Sequence, residues 1–362
     1  MGERPDAVGD LEDRLAALCS AIEPPDPVHG RLSRVRQRTL ARPAGSLGTL
    51  DALVHRIAAI RRDPAPGPLP AVVSVLAADH GVAARGTSLF HPEVTARVLT
   101  LVAAGRAPVN FLAERVPARV SYADFGLLSS VGDQRFRIAS GTADICLQDA
   151  MTPDQARQAI LNGCSYVGEC LADEPLVAVG EIGVGNTTPT AALASRLLGL
   201  DPSDLVGSGS GVDAATVERK RHIVRDALTR VRAVPDDPVR LLAALGGFEI
   251  AGNVGVILAA AKRRKVVVLD GFITAVAALV AVRLCPAARG YLVAAHRSSE
   301  PGHRVLLAAL DEPPLLSLDM HLGMGSGAAL ALGLVNAALA AAALTPSARS
   351  VGLSSPRSPV AP

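Results

Sequence analysis

Five short apolar runs recur along the chain, separated by stretches of helical periodicity, and this alternation limits the fold more than any other feature. The runs are Ala71–Ala78 (AVVSVLAA), Arg119–Asp124 (RVSYAD), Pro175–Val179 (PLVAV), Lys265–Asp270 (KVVVLD) and Tyr291–Ala295 (YLVAA). The first of them carries no alternation of apolar and polar residues, which marks a strand covered on both faces, as in parallel sheets. Between the runs, Glu93–Ala104, Pro153–Leu171, Thr188–Leu198, Ala214–Val231, Phe248–Ala261 and Thr274–Leu284 show apolar residues at helical spacing. Strand–helix alternation over 362 residues predicts an α/β domain with a doubly wound, mainly parallel sheet. Ligands in such sheets bind beyond the carboxyl ends of the strands, where the polar motifs of this chain also fall. Residues 1–60 read as a helical leader, with LEDRLAALCSAIE at helical spacing and Pro24, Pro25 and Pro27 ending the segment.

Composition narrows the function. Aromatic residues make up 2% of the chain and net charge is +2, so a nucleic-acid binder, with its basic surface and stacking platforms, is excluded. Apolar residues reach 49%, so Ala, Val, Leu and Gly supply the core, and helices and sheet are expected to pack closely. The five cysteines form no C-x-x-C pair and read as reduced core residues of a cytoplasmic protein. The acidic N-terminus lacks the basic and apolar regions of a signal peptide. The run Gly327–Leu344 is uncharged over 18 residues, but Ala and Gly dominate it and Asn336 interrupts it, so a buried helix is expected and no membrane partner.

The polar motifs are as follows. Asp79-His80 follow the first strand, placing an acid and an imidazole at its carboxyl end. Gly180–Thr188 (GEIGVGNTT) joins a strand to a helix, so its backbone N–H groups face a ligand such as an anion or a sugar. Glu181 within it has little structural work to do. Gly207-Ser208-Gly209-Ser210-Gly211 feeds a helix bearing Lys220, an arrangement suited to a phosphate; a plain surface turn is the competing reading. The segment His296–His303 (HRSSEPGH) offers hydroxyls around a ligand, and its two histidines lack the spacing of a zinc site. Leu322–Gly327 (LGMGSG) opens the Ala-rich helix. A dehydrogenase on the same sheet would need G-x-G-x-x-G with an acid about 20 residues on, and that fingerprint is missing.

In order, these motifs resemble the nicotinate-nucleotide:dimethylbenzimidazole phosphoribosyltransferases of cobalamin lower-ligand synthesis. Arg42–Gly48 (RPAGSLG), Ala78–Val94, Gly246–Ile250 with Asp270–Ile273, and Leu322–Leu330 complete the match, which runs from about residue 40 to residue 335. The resemblance implies a Rossmann-like domain with a small helical domain built from both chain ends, working as a homodimer. On that basis residues 1–65 form the first part of the small domain, 66–325 the α/β domain, 326–345 a helix completing the small domain, and 346–362 a disordered tail. It further implies transfer of 5-phosphoribosyl from nicotinate mononucleotide to an aromatic base such as 5,6-dimethylbenzimidazole, releasing nicotinate and giving an α-ribotide, with no metal or other cofactor.

By the same resemblance, phosphate is held by Gly207, Ser208, Gly209, Ser210, Gly211 and Lys220. Ribose and nicotinate fall to Gly183, Gly185, Asn186, Thr187, His296, Arg297 and Ser298. Asp79, His80 and Gly325 are substrate-binding positions too, and Ser88 and Phe90 line the acceptor pocket. Three departures stand out. The family motif G-E-G-[ST]-G carries the general base, and here Met324 occupies its position; a thioether accepts no proton. Asp144 replaces an expected Asn, an anion that would disfavour a nearby phosphate, and Arg42 replaces a Lys. Glu181 as substitute base, a different acceptor, or an impaired homologue that binds ligand or pairs with an intact family member are the three explanations for Met324.

Overall fold

The computed structural model describes residues 6–353. Three helices open the chain: α1 (Asp6–Ser20), α2 (Pro27–Gln37) and α3 (Thr49–Arg61). Pro27 starts α2 instead of ending a leader: it sits at the first helical position, and Asp26 caps the helix by accepting from Val28 N at 2.8 Å. Next come β1 (Ala71–Ala78), α4 (Glu93–Ala103), α5 (Pro108–Ala113), β2 (Ala118–Gly126), α6 (Pro153–Cys170) and β3 (Leu176–Ile182). After these follow α7 (Thr187–Leu198), α8 (Ala214–Arg230), α9 (Pro238–Leu245), α10 (Phe248–Lys262), β4 (Val266–Leu269), α11 (Phe272–Leu284) and β5 (Leu292–Ala294). The chain ends with β6 (His296–Arg297), α12 (Pro301–Leu310), β7 (Leu316–Ser317) and α13 (Ser326–Leu344).

Strands β1 to β5 form one parallel sheet in the order β2-β1-β3-β4-β5, and β6 pairs with β7 separately. Every residue of β1, β3 and β4 is buried, as the unbroken apolar run of β1 requires. The chain adds β2 on one side of β1 and β3 on the other, so a crevice opens where the loops after β1 and β3 diverge. Helices α10 and α11 cover one face, while α4, α5 and α13 cover the other.

The aromatic-poor composition acts through contact distance. Gly255 of α10 lies so near α6 that a Cβ there would meet the Ile160 carbonyl oxygen at 1.8 Å, and no other residue fits. Helix α13 is long and apolar enough to cross a membrane, yet it packs on β3, β4, α3 and α5, which suits a helix apolar on all sides. Its Asn336 is satisfied by the backbone of Leu69, donating to the carbonyl at 3.0 Å and accepting from the N–H at 2.8 Å.

The expected disordered tail is corrected in part. Residues 346–353 are tied down: Ala41 N donates to Pro346 O, Ala348 N donates to Thr39 O, both at 2.8 Å, and Ala348 is buried. Backbone pairing overrides a Ser/Pro composition here. Residues 354–362 lie outside the described residues.

Candidate active site

A cavity of about 410 Å³ opens at the carboxyl ends of β1, β3 and β4. Glu181, Gly183, Gly185, Asn186 and Thr187 line it from the loop after β3; Ser88 and Phe90 from the loop before α4; Gly209 and Ser210, His296 and Ser298, and Met324 complete the wall. Twelve of the twenty sequence-assigned positions therefore meet in one place.

Glu181 is the chemical centre of this cavity. Its Oε2 accepts from Asn186 Nδ2, while its backbone carbonyl accepts from Met324 N at 3.1 Å. Burial raises its pKa, Glu249 and Asp270 raise it further, the Asn186 amide opposes them, and the result is a carboxyl pushed up to about 8. Met324 itself has φ 61°, between Gly323 and Gly325 at 78° each, a left-handed conformation that a non-glycine residue adopts at a cost of about 1 kcal/mol or more. The turn is forced because Gly325 abuts β3: a Cβ on Gly180 would meet Gly325 N at 2.4 Å.

Two further carboxylates stand close by, and sequence reasoning did not single them out. Asp270, at the end of β4, accepts from Gly325 N at 3.1 Å and Ala328 N at 3.0 Å, capping α13. The acid-at-strand-end signal that selected Asp79 would have found it. Glu249 accepts from His80 Nε2 at 2.8 Å, both side chains being fully buried. Burial works against the imidazolium, but Glu249 and then Asp79 outweigh it and hold the His80 pKa above its usual value. No local pattern links residues 169 apart.

The other eight assigned residues do not line the cavity. Asp79 accepts from Leu128 N at 2.8 Å and from Thr95 Oγ1; Thr95 in turn accepts from Val184 N at 3.1 Å, so Asp79 steadies the glycine loop without touching the cavity. Lys220 is buried and donates to Thr187 Oγ1 at 3.0 Å and Gly207 O at 2.9 Å, its pKa lowered by burial against the pull of Glu300. Gly209 N, expected to face a phosphate, already donates to Glu300 Oε1 at 2.8 Å. Ser208 and Gly211 are exposed, Gly207 is buried, and Gly325 serves the turn. Arg297 points outward to Ser317 Oγ at 2.8 Å, because strand alternation that sends His296 inward sends its neighbour out. Asp144 is paired with Arg85 Nε at 2.5 Å, which neutralises the anion expected to disfavour phosphate.

His303 is the other buried group near the wall. Its Nδ1 accepts from Ser298 N at 3.0 Å, and burial followed by the charge of His296 drives its pKa down to about 3. It is a neutral acceptor that fixes the Ser298 loop.

A doubly wound sheet whose glycine-rich loops gather around a buried carboxyl at its switch point is the architecture of an α/β protein that binds a ligand beyond the carboxyl ends of its strands. A family model described as "Phosphoribosyltransferase" matches residues 22–351. The nicotinate-nucleotide–dimethylbenzimidazole phosphoribosyltransferase of Roseiflexus sp. (strain RS-1) is 40% identical over 329 residues, covering 90% of this chain and 93% of the relative. That of Mycobacterium avium (strain 104) is 42% identical over 342 residues, covering 93% and 98%. The crystal structure of the Thermus thermophilus enzyme superposes with a TM-score of 0.85 at 36% identity, covering 91% of this chain and 99% of that one. The chain belongs to the nicotinate-nucleotide–dimethylbenzimidazole phosphoribosyltransferase family, and it is a pentosyltransferase.

Proposed function

We propose that this protein moves the 5-phosphoribosyl group from nicotinate mononucleotide to a ring nitrogen of a benzimidazole-type base, with Glu181 taking the proton. The observation that carries the reading is the Glu181 carboxyl inside the cavity with its pKa near 8, beside the backbone of the residue where the family's base is expected. The C1′–N bond of the donor breaks with its electron pair going to nicotinate, which neutralises the pyridinium. The acceptor's unprotonated nitrogen forms the new bond from the opposite face, giving the α-ribotide. The proton on the acceptor's other nitrogen passes to Glu181.

Met324 adds an apolar, polarisable surface where a carboxylate would otherwise stand, and Phe90, Val94, Val98 and Ile182 extend it. A flat aromatic acceptor suits that wall, and its identity is expected to be altered from the usual one by Met324. Ser88 and Phe90 hold the acceptor; His296, Ser298 and the Gly183–Thr187 loop hold the donor. Lys220 supplies its charge through Thr187 and the Gly207 carbonyl, supporting the phosphate end indirectly. The working form is a cytoplasmic homodimer on the same reading; Val28, Leu32 and Val35, exposed along α2, offer an apolar stripe for a second copy.

The test is incubation with nicotinate mononucleotide and a panel of benzimidazoles, purines and phenols, with chromatographic detection of nicotinate. Release that depends on a benzimidazole is expected. No release with any acceptor, together with release by Met324→Glu, would establish an impaired homologue instead.

A further inference from the structure

A second cavity, of about 320 Å³, lies between α2 and α3 and is lined by Arg34, Gln37, Arg38, Ala44, Gly45, Asp51 and His55. It shares no lining residue with the catalytic cavity. Helical spacing builds it: Arg34 and Arg38 stand four apart on the α2 side, Asp51 and His55 four apart on α3, and the turn at Ala44-Gly45 closes one end.

The charges in this cavity are unbalanced. Asp51 is taken up by Arg42, whose guanidinium donates to both carboxylate oxygens at 2.5 and 3.1 Å, and by Leu47 N at 3.2 Å. Arg36, also on α2, has a structural partner in the final carbonyls of α13, donating to Ala342 O at 2.6 Å. Arg34 and Arg38 have none: neither side chain donates to any described residue. Both stand at the C-terminal end of α2, where the helix dipole favours cations, so the fold tolerates two neighbouring guanidinium groups there without a carboxylate partner. Both arginines line the cavity together with His55, and Arg34 is a cause, after burial, of the lowered His55 pKa. His55 Nδ1 is held by Ser33 Oγ at 3.3 Å and Gln37 Nε2 at 3.4 Å, which fixes the imidazole in place.

The geometry points to a binding site for a phosphate monoester between α2 and α3, in which Arg34 and Arg38 grip the phosphate and Gln37, His55 and the Ala44-Gly45 turn accommodate the body of the ester. Two guanidinium forks match the several oxygens of a phosphate dianion better than they match a single carboxylate. The volume falls at the lower end of the ~300–1,000 Å³ of small-molecule pockets, enough for a group attached to the phosphate.

The test follows the ring-proton NMR signal of His55, assigned by its loss in His55→Gln, during titration of the full chain with ribose 5-phosphate, inorganic phosphate and, at matched ionic strength, chloride. A saturable shift with ribose 5-phosphate, tighter than with inorganic phosphate and absent with chloride, is expected. Arg34→Ser and Arg38→Ser, both on exposed residues, should each weaken it about tenfold or more. A shift that follows ionic strength alone, survives both substitutions or favours inorganic phosphate overturns the assignment. Because His55 reports only on its surroundings, anion binding in the catalytic cavity does not contaminate the result.

Discussion

Substitution of Glu181 by Gln tests the catalytic reading at its centre, because the structure fixes both the size and the sign of the effect. With its pKa at about 8 instead of 4.5 in the ligand-free protein, the carboxylate form makes up about 9% of Glu181 at pH 7 and about 91% at pH 9. If the carboxylate is the base, kcat/KM for nicotinate release rises about tenfold across that interval and levels off above it. Glu181→Gln removes the base without changing the size of the side chain. It should lose about 10²–10⁴ in rate and lose the rising limb as well. Folding stability provides an independent reading with the opposite slope. The folded pKa is raised, so the protonated form favours folding. The contribution is complete below the unfolded value of 4.5 and disappears as pH rises through 8. Between pH 7 and pH 9 the native protein should lose about 1.4 kcal/mol that the Gln variant does not lose. Initial rates with subsaturating donor, and urea unfolding at the two pH values, measure the two effects. A flat rate profile from pH 7 to 9, or the same limb in the Gln variant, refutes the assignment.

Met324→Glu places a second carboxyl beside Glu181; like charges separate the two pKa values, so the rising limb should move to lower pH and the rate at pH 7 should increase several-fold. Asp270→Asn leaves one of the two N–H groups at the start of α13 facing an amide N–H₂, and should cost about 1–3 kcal/mol in urea unfolding. His80→Asn strands the buried Glu249 carboxylate at about 3–5 kcal/mol, and adding Glu249→Gln should recover part of the loss in a double-mutant cycle. Donor binding should release close to one proton at pH 7, since the cationic ring favours the ionised form of Glu181; calorimetry in buffers of different ionisation enthalpy reads this directly.

The strands and most helices were legible because their signals are local. The run AVVSVLAA became a fully buried strand, and the helix expected from Pro153 to Leu171 spans Pro153–Cys170, its start fixed by the Thr152–Gln155 capping box. Loop motifs after strands were legible for the same reason, and twelve of their residues line one cavity. What sequence reading missed was set by pairing across the chain. Glu249 matters because His80 reaches it from 169 residues away, and the N–H of Gly209 is taken up because Glu300 reaches it from 91 away. The tail was misread because composition describes a free segment, whereas pairing of Leu40 with Ser347 joins this one to the end of α2.

Three buried carboxyl groups in one neighbourhood repel each other, and the fold resolves the conflict differently for each. Glu249 is neutralised by the His80 imidazolium, a partner fixed in place by burial. Asp270, whose pKa burial raises, is opposed first by His296 at 3.8 Å and then by the N-terminal N–H groups of α13, where the helix dipole is positive. Glu181 has only a neutral amide, so it meets the repulsion by holding a proton. It is thus the one member of the three whose charge can change without stranding a partner. In the reaction proposed above, the counter-charge it lacks is what a pyridinium nucleotide carries into the cavity, and nicotinate departs as that charge disappears. Proton release on donor binding and proton uptake after transfer are then two consequences of a single gap in the charge pattern, and Met324, by contributing no charge of its own, leaves that gap to Glu181.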